Sequence, residues 1–234
     1  MLRDFLNLIY PPRCYVCQKR SEKPLCGVCL ASIEFIKPPI CQKCGKPVLR
    51  TVERCLDCRG RRISASEVRS VAVFDGALKE AVHALKYRHG RRLAHFFAQF
   101  MAVSVDSYFS DIDLITFVPI SRGKKRTRGF NQAELLARGL ARQIEKPVKP
   151  LLVCTRFTMD QSRLSPAERR ANVRGAFDLL RNTEASRRGI AGRKILLIDD
   201  VYTTGSTVNE CAQVLRRAGA HEVRVLTLAR AVLT

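Results

Sequence analysis

The chain has 234 residues, with 42 Lys and Arg against 21 Asp and Glu, which gives a formal net charge of +21. This length allows one or two domains. A positive excess of this size, spread along the chain, favours a polyanionic partner such as a nucleic acid; a general solubility charge is the alternative. Because aromatic residues make up 7% and Trp is absent, single-strand recognition that depends on base stacking is disfavoured.

The first ten residues form a short amphipathic pattern, in which Leu2, Phe5, Leu6 and Ile9 are apolar. This segment, 1–10, is too short and too charged for a signal peptide or a membrane span. We expect an N-terminal amphipathic helix that packs on the main domain; attachment to a membrane surface is the alternative. Without a signal peptide or a transmembrane span, the protein is expected to be cytoplasmic.

Eight of the ten cysteines lie before residue 60, in four Cys-x-x-Cys pairs. The pairs are Cys14/Cys17, Cys26/Cys29, Cys41/Cys44 and Cys55/Cys58. Two such pairs provide the four thiolates of a structural zinc site, which has no open position for catalysis. Consecutive pairs would bind one ion each; a crossed arrangement, first with third and second with fourth, is also compatible with the spacing. Disulfides are disfavoured because no secretory signal precedes the cysteines.

The cysteine-rich segment, 11–60, has too few apolar residues for a core of its own, so bound metal would supply much of its folding free energy. These features predict a small domain of the double zinc-ribbon type with one or two structural zinc ions. Residues 59–66 indicate a linker to the second domain. The two remaining cysteines, Cys154 and Cys211, are expected to be buried apolar side chains.

From residue 68 onward, apolar strands and amphipathic helices alternate, which predicts a parallel sheet with helices on both faces. The predicted elements are a strand near 70–74, helices over about 77–88 and 91–108, a strand at 114–118, a helix over about 131–144, strands near 148–154 and at 195–198, a helix after 207 that stops at Gly219, and a strand at 223–228. The second domain, 68–234, therefore belongs to the α/β class.

A basic segment follows the predicted strand at 114–118. It contains five cations within seven residues and no acid: Arg122, Lys124, Lys125, Arg126 and Arg128. As a loop at a strand end, this segment suits a pyrophosphate group; the alternative is a solvated surface loop. Further along the chain, the long Arg-rich polar segment 161–177 is typical of a lid beside a site.

The run 195–207 is the most informative part of the sequence. Four branched apolar residues precede Asp199 and Asp200, and a loop of hydroxyl residues and glycine follows. The loop residues are Thr203, Thr204, Gly205, Ser206 and Thr207. Carboxylates at a strand end can accept hydrogen bonds from sugar hydroxyls, and a glycine-containing loop before a helix can hold a phosphate. A sugar-phosphate site is predicted; the alternative is a solvated acidic strand end with a polar helix cap.

This run resembles the signature of type I phosphoribosyltransferases, which bind 5-phosphoribosyl-1-diphosphate (PRPP). The resemblance implies that Asp199 and Asp200 contact the ribose hydroxyls, that residues 203–207 cradle the 5-phosphate, and that Mg²⁺ accompanies PRPP. Purine-salvage members carry an Asp where this chain has Thr203. Purine salvage is therefore disfavoured, because Thr cannot act as a base near neutral pH.

Nearly the whole chain resembles the ComF family, which includes proteins called ComFC and GntX. The shared features are the cysteine pairs, a Phe-x-Gly-x-Leu-Lys…Leu-Lys-Tyr element at 74–87, Val-Pro-x-x…Arg-Gly-Phe-Asn-Gln at 118–132, the polar segment and the run 195–207. The resemblance implies that Ser121 and Arg122 lie in a pyrophosphate loop. The residues that would border the site are Lys86, Tyr87, Arg128, Asn131 and Gln132. The residues that would belong to a mobile loop are Arg163, Arg169, Arg170 and Asn172.

The expected function is transfer of the phosphoribosyl group of PRPP to an unidentified acceptor, with release of pyrophosphate, in natural competence and DNA uptake. The candidate catalytic residues are Asp199, Asp200 and Arg122, of which Arg122 would stabilise the leaving group. No general base is evident in the sequence. The alternative is a non-catalytic accessory or regulator that binds single-stranded DNA and uses PRPP as an effector. Single-stranded DNA and a DNA-uptake helicase are the expected macromolecular partners.

Overall fold

The computed structural model describes residues 11–87, 90–109, 111–156, 165–181 and 183–232. The strands in chain order are β1 (Glu67–Val73), β2 (Leu114–Phe117), β3 (Leu152–Cys154), β4 (Phe177–Leu179), β5 (Lys194–Tyr202) and β6 (Glu222–Arg230). The α-helices are α1 (Gly27–Ala31), α2 (Gly76–Tyr87), α3 (Gly90–Tyr108), α4 (Arg122–Arg128), α5 (Gln132–Gln143), α6 (Pro166–Val173), α7 (Glu184–Arg188) and α8 (Ser206–Arg217).

Four parallel strands form the central sheet, in the order β1-β6-β5-β2. Strand β5 lies inside the sheet, with Leu114 of β2 opposite Ile195 and Thr227 of β6 opposite Asp199. The remaining two strands, β3 and β4, form a separate antiparallel pair. The central position of β5 means that its carboxyl end opens between two neighbouring strands, which is where ligands bind in parallel sheets.

The two faces of β5 bury alternate side chains, as the two-residue period of a strand requires. Leu196 and Ile198 lie in the core that includes α2, α3 and α5, whereas Ile195 and Leu197 lie in the core that includes α8 and the β3–β4 pair. Both faces of the sheet are therefore covered. The predicted α/β class, with a parallel sheet between helices, is confirmed.

The two unpaired cysteines lie in the second of these cores, where Cys154 and Cys211 are both buried. This agrees with their prediction as apolar side chains. Helix α8 ends one residue before Ala218, and the chain then turns at Gly219 with φ of +96°. That conformation is one that glycine adopts without steric cost, so the predicted stop of this helix is confirmed.

The basic segment after β2 is a helix, and its prediction as a loop is wrong. Helix α4 begins after Ser121, whose hydroxyl accepts a hydrogen bond from the Lys124 amide, and it ends at Gly129, whose φ is 77°. None of its residues is buried. The apolar period that reveals a helix in a sequence is therefore missing, and the two capping residues were the available signal.

The long polar segment before β5 was predicted without regular elements, yet it contains α6, β4 and α7. The predicted strand near 148–154 is divided. Val148 forms a single parallel bridge with Ile115 at the edge of the main sheet, and the residues of β3 pair with β4 instead. Elements of three to five residues carry too few apolar positions for their period to be visible in the sequence.

Some predictions fall outside the described residues. The N-terminal helix at 1–10 lies there, as does Arg163 of the predicted mobile loop. Arg169 and Arg170 belong to α6, but their side chains are not described. Within the described ranges, no helix has the length and apolar character that a bilayer crossing needs.

Candidate functional site

The acidic pair lies inside the last part of β5, because the strand continues to Tyr202 beyond the predicted end at residue 198. Oδ1 of Asp199 accepts a hydrogen bond from the backbone N–H of Asp200 at 2.9 Å, and Oδ1 of Asp200 accepts one from Val201 at 2.8 Å. Both residues remain partly exposed. The backbone thus orients the two carboxylates while a ligand can still approach them.

Lys86, near the end of α2, forms an ion pair with this acidic pair. Its Nζ lies 3.1 Å from Oδ2 of Asp200, with the two side chains 22% and 17% exposed. The negative charge of Asp200 raises the pKa of Lys86. Burial disfavours the charged form of Asp200, but the attraction and hydrogen bond of Lys86 outweigh burial, so the pKa of Asp200 is lowered.

Asp199 has the opposite electrostatic character. Burial and the neighbouring charge of Asp200 raise the pKa of Asp199 well above its usual value. Asp200 therefore keeps its negative charge at neutral pH, and Asp199 is the member of the pair that takes up a proton first as the pH falls. This arrangement favours a ligand that brings hydroxyl donors or positive charge to the pair.

The loop after β5 turns at Gly205 before α8 begins. Gly205 has φ of +75°, and a Cβ placed on it would lie 2.2 Å from the Tyr202 hydroxyl oxygen. The hydroxyls of Thr204 and Ser206 lie 2.8 Å apart. Ser206 is buried, whereas Thr203 is partly exposed, as are Thr204 and Thr207. Hydroxyl groups and the first amides of α8 therefore meet at the end of β5, as an anion site requires.

The segment that joins α4 to α5 forms the other border of the site. Asn131 donates from Nδ2 to the carbonyl of Val118 at 2.9 Å and caps α5 with its side chain. Gln132 accepts a hydrogen bond from Arg128 and donates one to the carbonyl of Lys86, both at 3.4 Å. The end of β2 is thereby connected to the helix that carries the lysine, and the positive charge of Arg128 partly opposes the rise in the pKa of Lys86 that Asp200 causes.

Three further residues of the predicted site differ in their exposure to solvent. Ser121 is 4% exposed as the cap of α4, and Arg122 is exposed on the first turn of that helix. Asn172 lies in α6 and is partly buried. The leaving-group role of Arg122 stays a prediction.

The eight paired cysteines form two clusters, and each cluster combines consecutive pairs. All four Sγ atoms of a cluster lie within 4.8 Å of one another. Two of the separations are 3.6 Å between Cys17 and Cys26 and 3.7 Å between Cys44 and Cys55. Zinc with four sulfur ligands at about 2.3 Å places the sulfurs about 3.8 Å apart, so both clusters fit zinc. The sequential arrangement is confirmed, and the crossed alternative is wrong.

The first cysteine of each cluster has a lowered pKa, and a backbone hydrogen bond of Cys29 also lowers the pKa of Cys26 in the first cluster. Burial raises the pKa of Cys14, but hydrogen bonds from backbone amides outweigh burial and lower it to about 6. The same balance lowers the pKa of Cys41 to about 7. Burial instead raises the pKa of Cys29 to about 12. Because zinc binds the thiolate, the first cysteine of each cluster is already prepared as a ligand, and binding of the metal drives off the remaining protons.

Two family models match the chain: a double zinc ribbon domain over residues 5–59 and a phosphoribosyl transferase domain over residues 129–232. The competence protein ComFC of Bacillus subtilis is 29% identical over 90% of this chain and 86% of its own length. Competence protein F of Haemophilus influenzae is 28% identical over 98% of this chain and all of its own. The DNA utilization protein YhgH of Escherichia coli K12 is 30% identical over 95% of this chain and 99% of its own. This chain belongs to the ComF family.

The two domain matches give the ComF chain its architecture, a type I phosphoribosyltransferase fold after a double zinc ribbon with two four-cysteine centres. The phosphoribosyl transferase match includes β5, the acidic pair and the loop at Gly205. Structural zinc in the ribbon agrees with the cysteine geometry.

Sequence reasoning missed several contacts of this site. The resemblance indicated that Lys86 is near the site, but it could not give Asp200 as its partner. Arg61 belongs to the predicted linker, yet its guanidinium donates to the carbonyl of Thr204 at 2.7 Å. Arg230 follows an apolar strand and lies buried beside Tyr202. The available signals were a cation in a linker and one at a strand end, neither of which specifies a contact.

Proposed function

We propose that this ComF protein binds PRPP at the carboxyl end of β5 and transfers the phosphoribosyl group to an acceptor, with release of pyrophosphate. The proposal rests mainly on one observation: the loop at Gly205 directly follows the acidic pair at the end of β5. Carboxylates suited to ribose hydroxyls and an N-terminal helix loop suited to a phosphate follow one another on one strand end. Competence protein F of Haemophilus influenzae and the DNA utilization protein YhgH of Escherichia coli align with nearly the whole of this chain, and their names support a role in DNA uptake.

In the proposed complex, Asp200 accepts hydrogen bonds from a ribose hydroxyl, because Lys86 keeps it ionised. Asp199 accepts from the neighbouring hydroxyl. The hydroxyls of Thr204 and Ser206, with the first amides of α8, hold the 5-phosphate. Gly205 allows the loop to turn against Tyr202, since a side chain here would meet the Tyr202 ring.

During transfer, the bond from ribose C1 to the pyrophosphate oxygen breaks, and the acceptor atom forms the new bond to C1. Positive charge develops on the ribose, where the acidic pair stabilises it. Negative charge moves to pyrophosphate, near Arg122 and the other cations of α4, and loss of one such contact typically costs about 2–4 kcal/mol of barrier. Carboxylate oxygens of Asp199 and Asp200 would help to hold Mg²⁺, which would neutralise negative charge that develops on the pyrophosphate.

The acceptor is proposed to be a group that is nucleophilic without deprotonation. Among the described residues around the acidic pair, no side chain is an evident general base. Thr203, next in the loop, cannot accept a proton near neutral pH. Purine bases are therefore not proposed as acceptors.

The proposal is tested by titration of the protein with PRPP and Mg²⁺. The wild type is expected to bind one PRPP per chain. The double variant Asp199→Asn/Asp200→Asn should bind at least about tenfold more weakly, because two charged hydrogen-bond acceptors are lost. Glu184→Gln, a change of the same chemistry on the exposed helix α7, is the control and should bind as the wild type does. Equal affinity of the double variant and the control would refute the ribose assignment.

Catalysis is tested separately, by pyrophosphate release in the presence of PRPP, Mg²⁺ and fractions of a cell extract. Release that needs both PRPP and one extract fraction, and that disappears in the double variant, supports the transferase. PRPP binding without release in any fraction supports the effector reading instead.

A second candidate function is binding of single-stranded DNA, and a basic groove favours it. A cavity of about 610 Å³ lies beside α8, and four of its lining residues are arginines: Arg61, Arg62, Arg174 and Arg217. Its one carboxylate, Glu210, accepts a hydrogen bond from the Gly175 amide. The groove also includes Ser206, so a polyanion bound there would adjoin the proposed PRPP loop.

The groove is tested by measuring the affinity for a fluorescent thymidine oligonucleotide against salt. Arg62→Gln/Arg217→Gln should lower the magnitude of the log–log slope by about 1.4, since each lost phosphate contact contributes about 0.7 for single strands. Arg181→Gln/Arg188→Gln, which removes two exposed arginines elsewhere, is the matched control. If the slope falls equally in both variants, the oligonucleotide binds to the positive charge of the protein in general and not to this groove.

A further inference from the structure

Arg230, the last residue of β6, connects the second cysteine cluster to the end of β5. Its Nη1 donates to the carbonyl oxygen of Cys44 at 2.7 Å, and its Nη2 lies 3.4 Å from the Sγ atom of the same residue. Arg230 is 3% exposed, and its Nε has no hydrogen-bond partner in the described part of the chain. A guanidinium buried in this way needs a compensating negative charge nearby.

The metal-loaded cluster provides this charge. Zinc binds deprotonated cysteines, and four thiolates outweigh one divalent cation, so the complete centre is negative overall. Arg230 points its donors at one of these ligands, Cys44. Loss of the metal would leave Cys44 without its bond to zinc, so the partner that holds the buried Arg230 in place would no longer be fixed.

Arg230 also supports Tyr202. Its guanidinium carbon lies 4.5 Å from the centre of the Tyr202 ring, and the two residues are paired across β5 and β6. Tyr202 is 5% exposed. The turn of the loop rests against this ring, because a Cβ on Gly205 would lie 2.2 Å from the hydroxyl oxygen and 2.4 Å from the ring carbon that bears it. A chain of contacts thus leads from Cys44 to the turn of the loop.

A second connection runs through the segment that leaves the cluster. Arg61, three positions after Cys58, donates to the carbonyl of Thr204 at 2.7 Å. Three residues later, the amide of Ser64 donates to the Asn209 side chain of α8 at 2.7 Å. The segment that follows the second cluster therefore contacts both the loop and the helix after it.

The first cluster has different surroundings. Arg92 of α3 donates to the carbonyl of Glu22 at 2.9 Å, between the two cysteine pairs of this cluster. Tyr15, Val16 and Leu30 pack against the core on the α3 side of the sheet. The contacts of this cluster thus lead to α3 and its core.

We propose that the second metal centre, formed by Cys41, Cys44, Cys55 and Cys58, stabilises the conformation of the loop at 203–207. Cys44, fixed by bound zinc, would hold Arg230 and, through it, Tyr202 behind Gly205, while Arg61 fixes the Thr204 carbonyl. Arg230, Tyr202 and Arg61 are positioning residues. The assignment of the loop's ligand as the phosphate of PRPP rests on the proposed function, whereas the coupling of metal to loop conformation does not.

The experiment measures hydrogen exchange of the amides at 203–208 together with zinc content and PRPP affinity. Arg61→Gln touches no cysteine and should keep both zinc ions and the thermal midpoint of the wild type. Exchange in the loop should speed up by about tenfold, as loss of one buried hydrogen bond predicts. Arg230→Gln should also speed up exchange in the loop, although loss of this buried side chain should lower the thermal midpoint as well. Arg92→Gln, the control at the first cluster, should leave the loop unchanged.

The metal itself is tested with cysteine variants at matching places, Cys58→Ser in the second cluster and Cys29→Ser in the first. Each should lower the zinc content, and Cys58→Ser alone should speed up exchange in the loop. The coupling would be overturned if the loop exchanged at the same rate in these two variants. It would also be overturned if the loop of Arg61→Gln exchanged as slowly as that of the wild type. If the loop responds as expected but the wild type fails to bind PRPP, the coupling stands and the proposed function fails.

Discussion

The two cysteine clusters have the same ligands and a similar spacing, but they belong to different parts of the molecule. In the first cluster Cys17 is exposed, and Cys26 partly so, whereas all four cysteines of the second are buried. The first cluster packs beside α3, and the second contacts the end of β5. A ligand pattern therefore identifies a metal site without revealing what the metal supports; the neighbours of the site determine that.

Removal of zinc should produce the largest effect, since a structural zinc site contributes on the order of 10 kcal/mol to the folding of its ribbon. Chelation should make residues 11–60 sensitive to protease while the α/β core stays protected. PRPP binding should nevertheless be lost, because the loop loses its support from the second cluster. Proteolysis mapped by mass spectrometry and a PRPP titration of the same sample measure both effects.

The comparison is sharpened by a variant that damages the first cluster alone. Cys14→Ser/Cys17→Ser should lose about half of the zinc and keep PRPP affinity, since these residues belong to the cluster beside α3. If the chelated protein bound PRPP as tightly as the untreated protein, neither cluster would support the PRPP site.

The next effect concerns the contact between the loop and Tyr202. Gly205→Ala should weaken PRPP binding strongly and destabilise the fold by about 2–4 kcal/mol, because a left-handed residue costs about 1–2 kcal/mol and overpacking adds more. Gly192→Ala has a similar φ, +72°, with nothing within 4 Å of the added Cβ. This control should pay the backbone cost alone and keep PRPP affinity. Urea unfolding measures the stability of both variants, and titration measures their PRPP affinity. Equal losses of stability and affinity in the two variants would show that Tyr202 does not shape the loop.

The smallest effect is a change in pH dependence at the acidic pair. The raised pKa of Asp199 means that PRPP affinity should begin to fall at a higher pH than for an ordinary carboxyl group, as this residue becomes protonated. The charge of Lys86 lowers the pKa of both carboxyl groups, so Lys86→Met should raise both pKa values and shift the loss of binding to still higher pH. Titrations between pH 5 and pH 8 measure both.

Variants at the first cluster and at Arg61 are the controls for this titration. A change at the first cluster should leave both affinity and pH profile alone, whereas Arg61→Gln should lower affinity with the same profile. A profile in Lys86→Met that matches the wild type would mean that the ion pair with Asp200 does not set the charge of the pair.

The sequence predicted the central elements well where their apolar period is long or their burial complete. Strand β5 and the helix that ends before Gly219 are examples, because the strand carries four consecutive branched apolar residues and the helix a clear helical period. The cysteine pairs were also predictable, since spacing alone limits which thiolates can share an ion.

The elements that were missed depend on contacts distant in sequence or on polar capping. Helix α4 buries nothing and is specified by Ser121 and Gly129 at its ends. The pairing of Lys86 with Asp200, and of Arg61 with Thr204, joins residues more than a hundred positions apart. No local pattern encodes such a contact, so the site could be placed at the end of β5 without its supporting residues.

The central claim is that PRPP binds at the end of β5, and a crystal structure with PRPP and Mg²⁺ tests it most directly. We expect the ribose hydroxyls within hydrogen-bond distance of Asp199 and Asp200, and the 5-phosphate against the Thr204 and Ser206 hydroxyls and the amides that follow Gly205. PRPP bound instead in the arginine groove beside α8, with the acidic pair contacting no ligand, would contradict it.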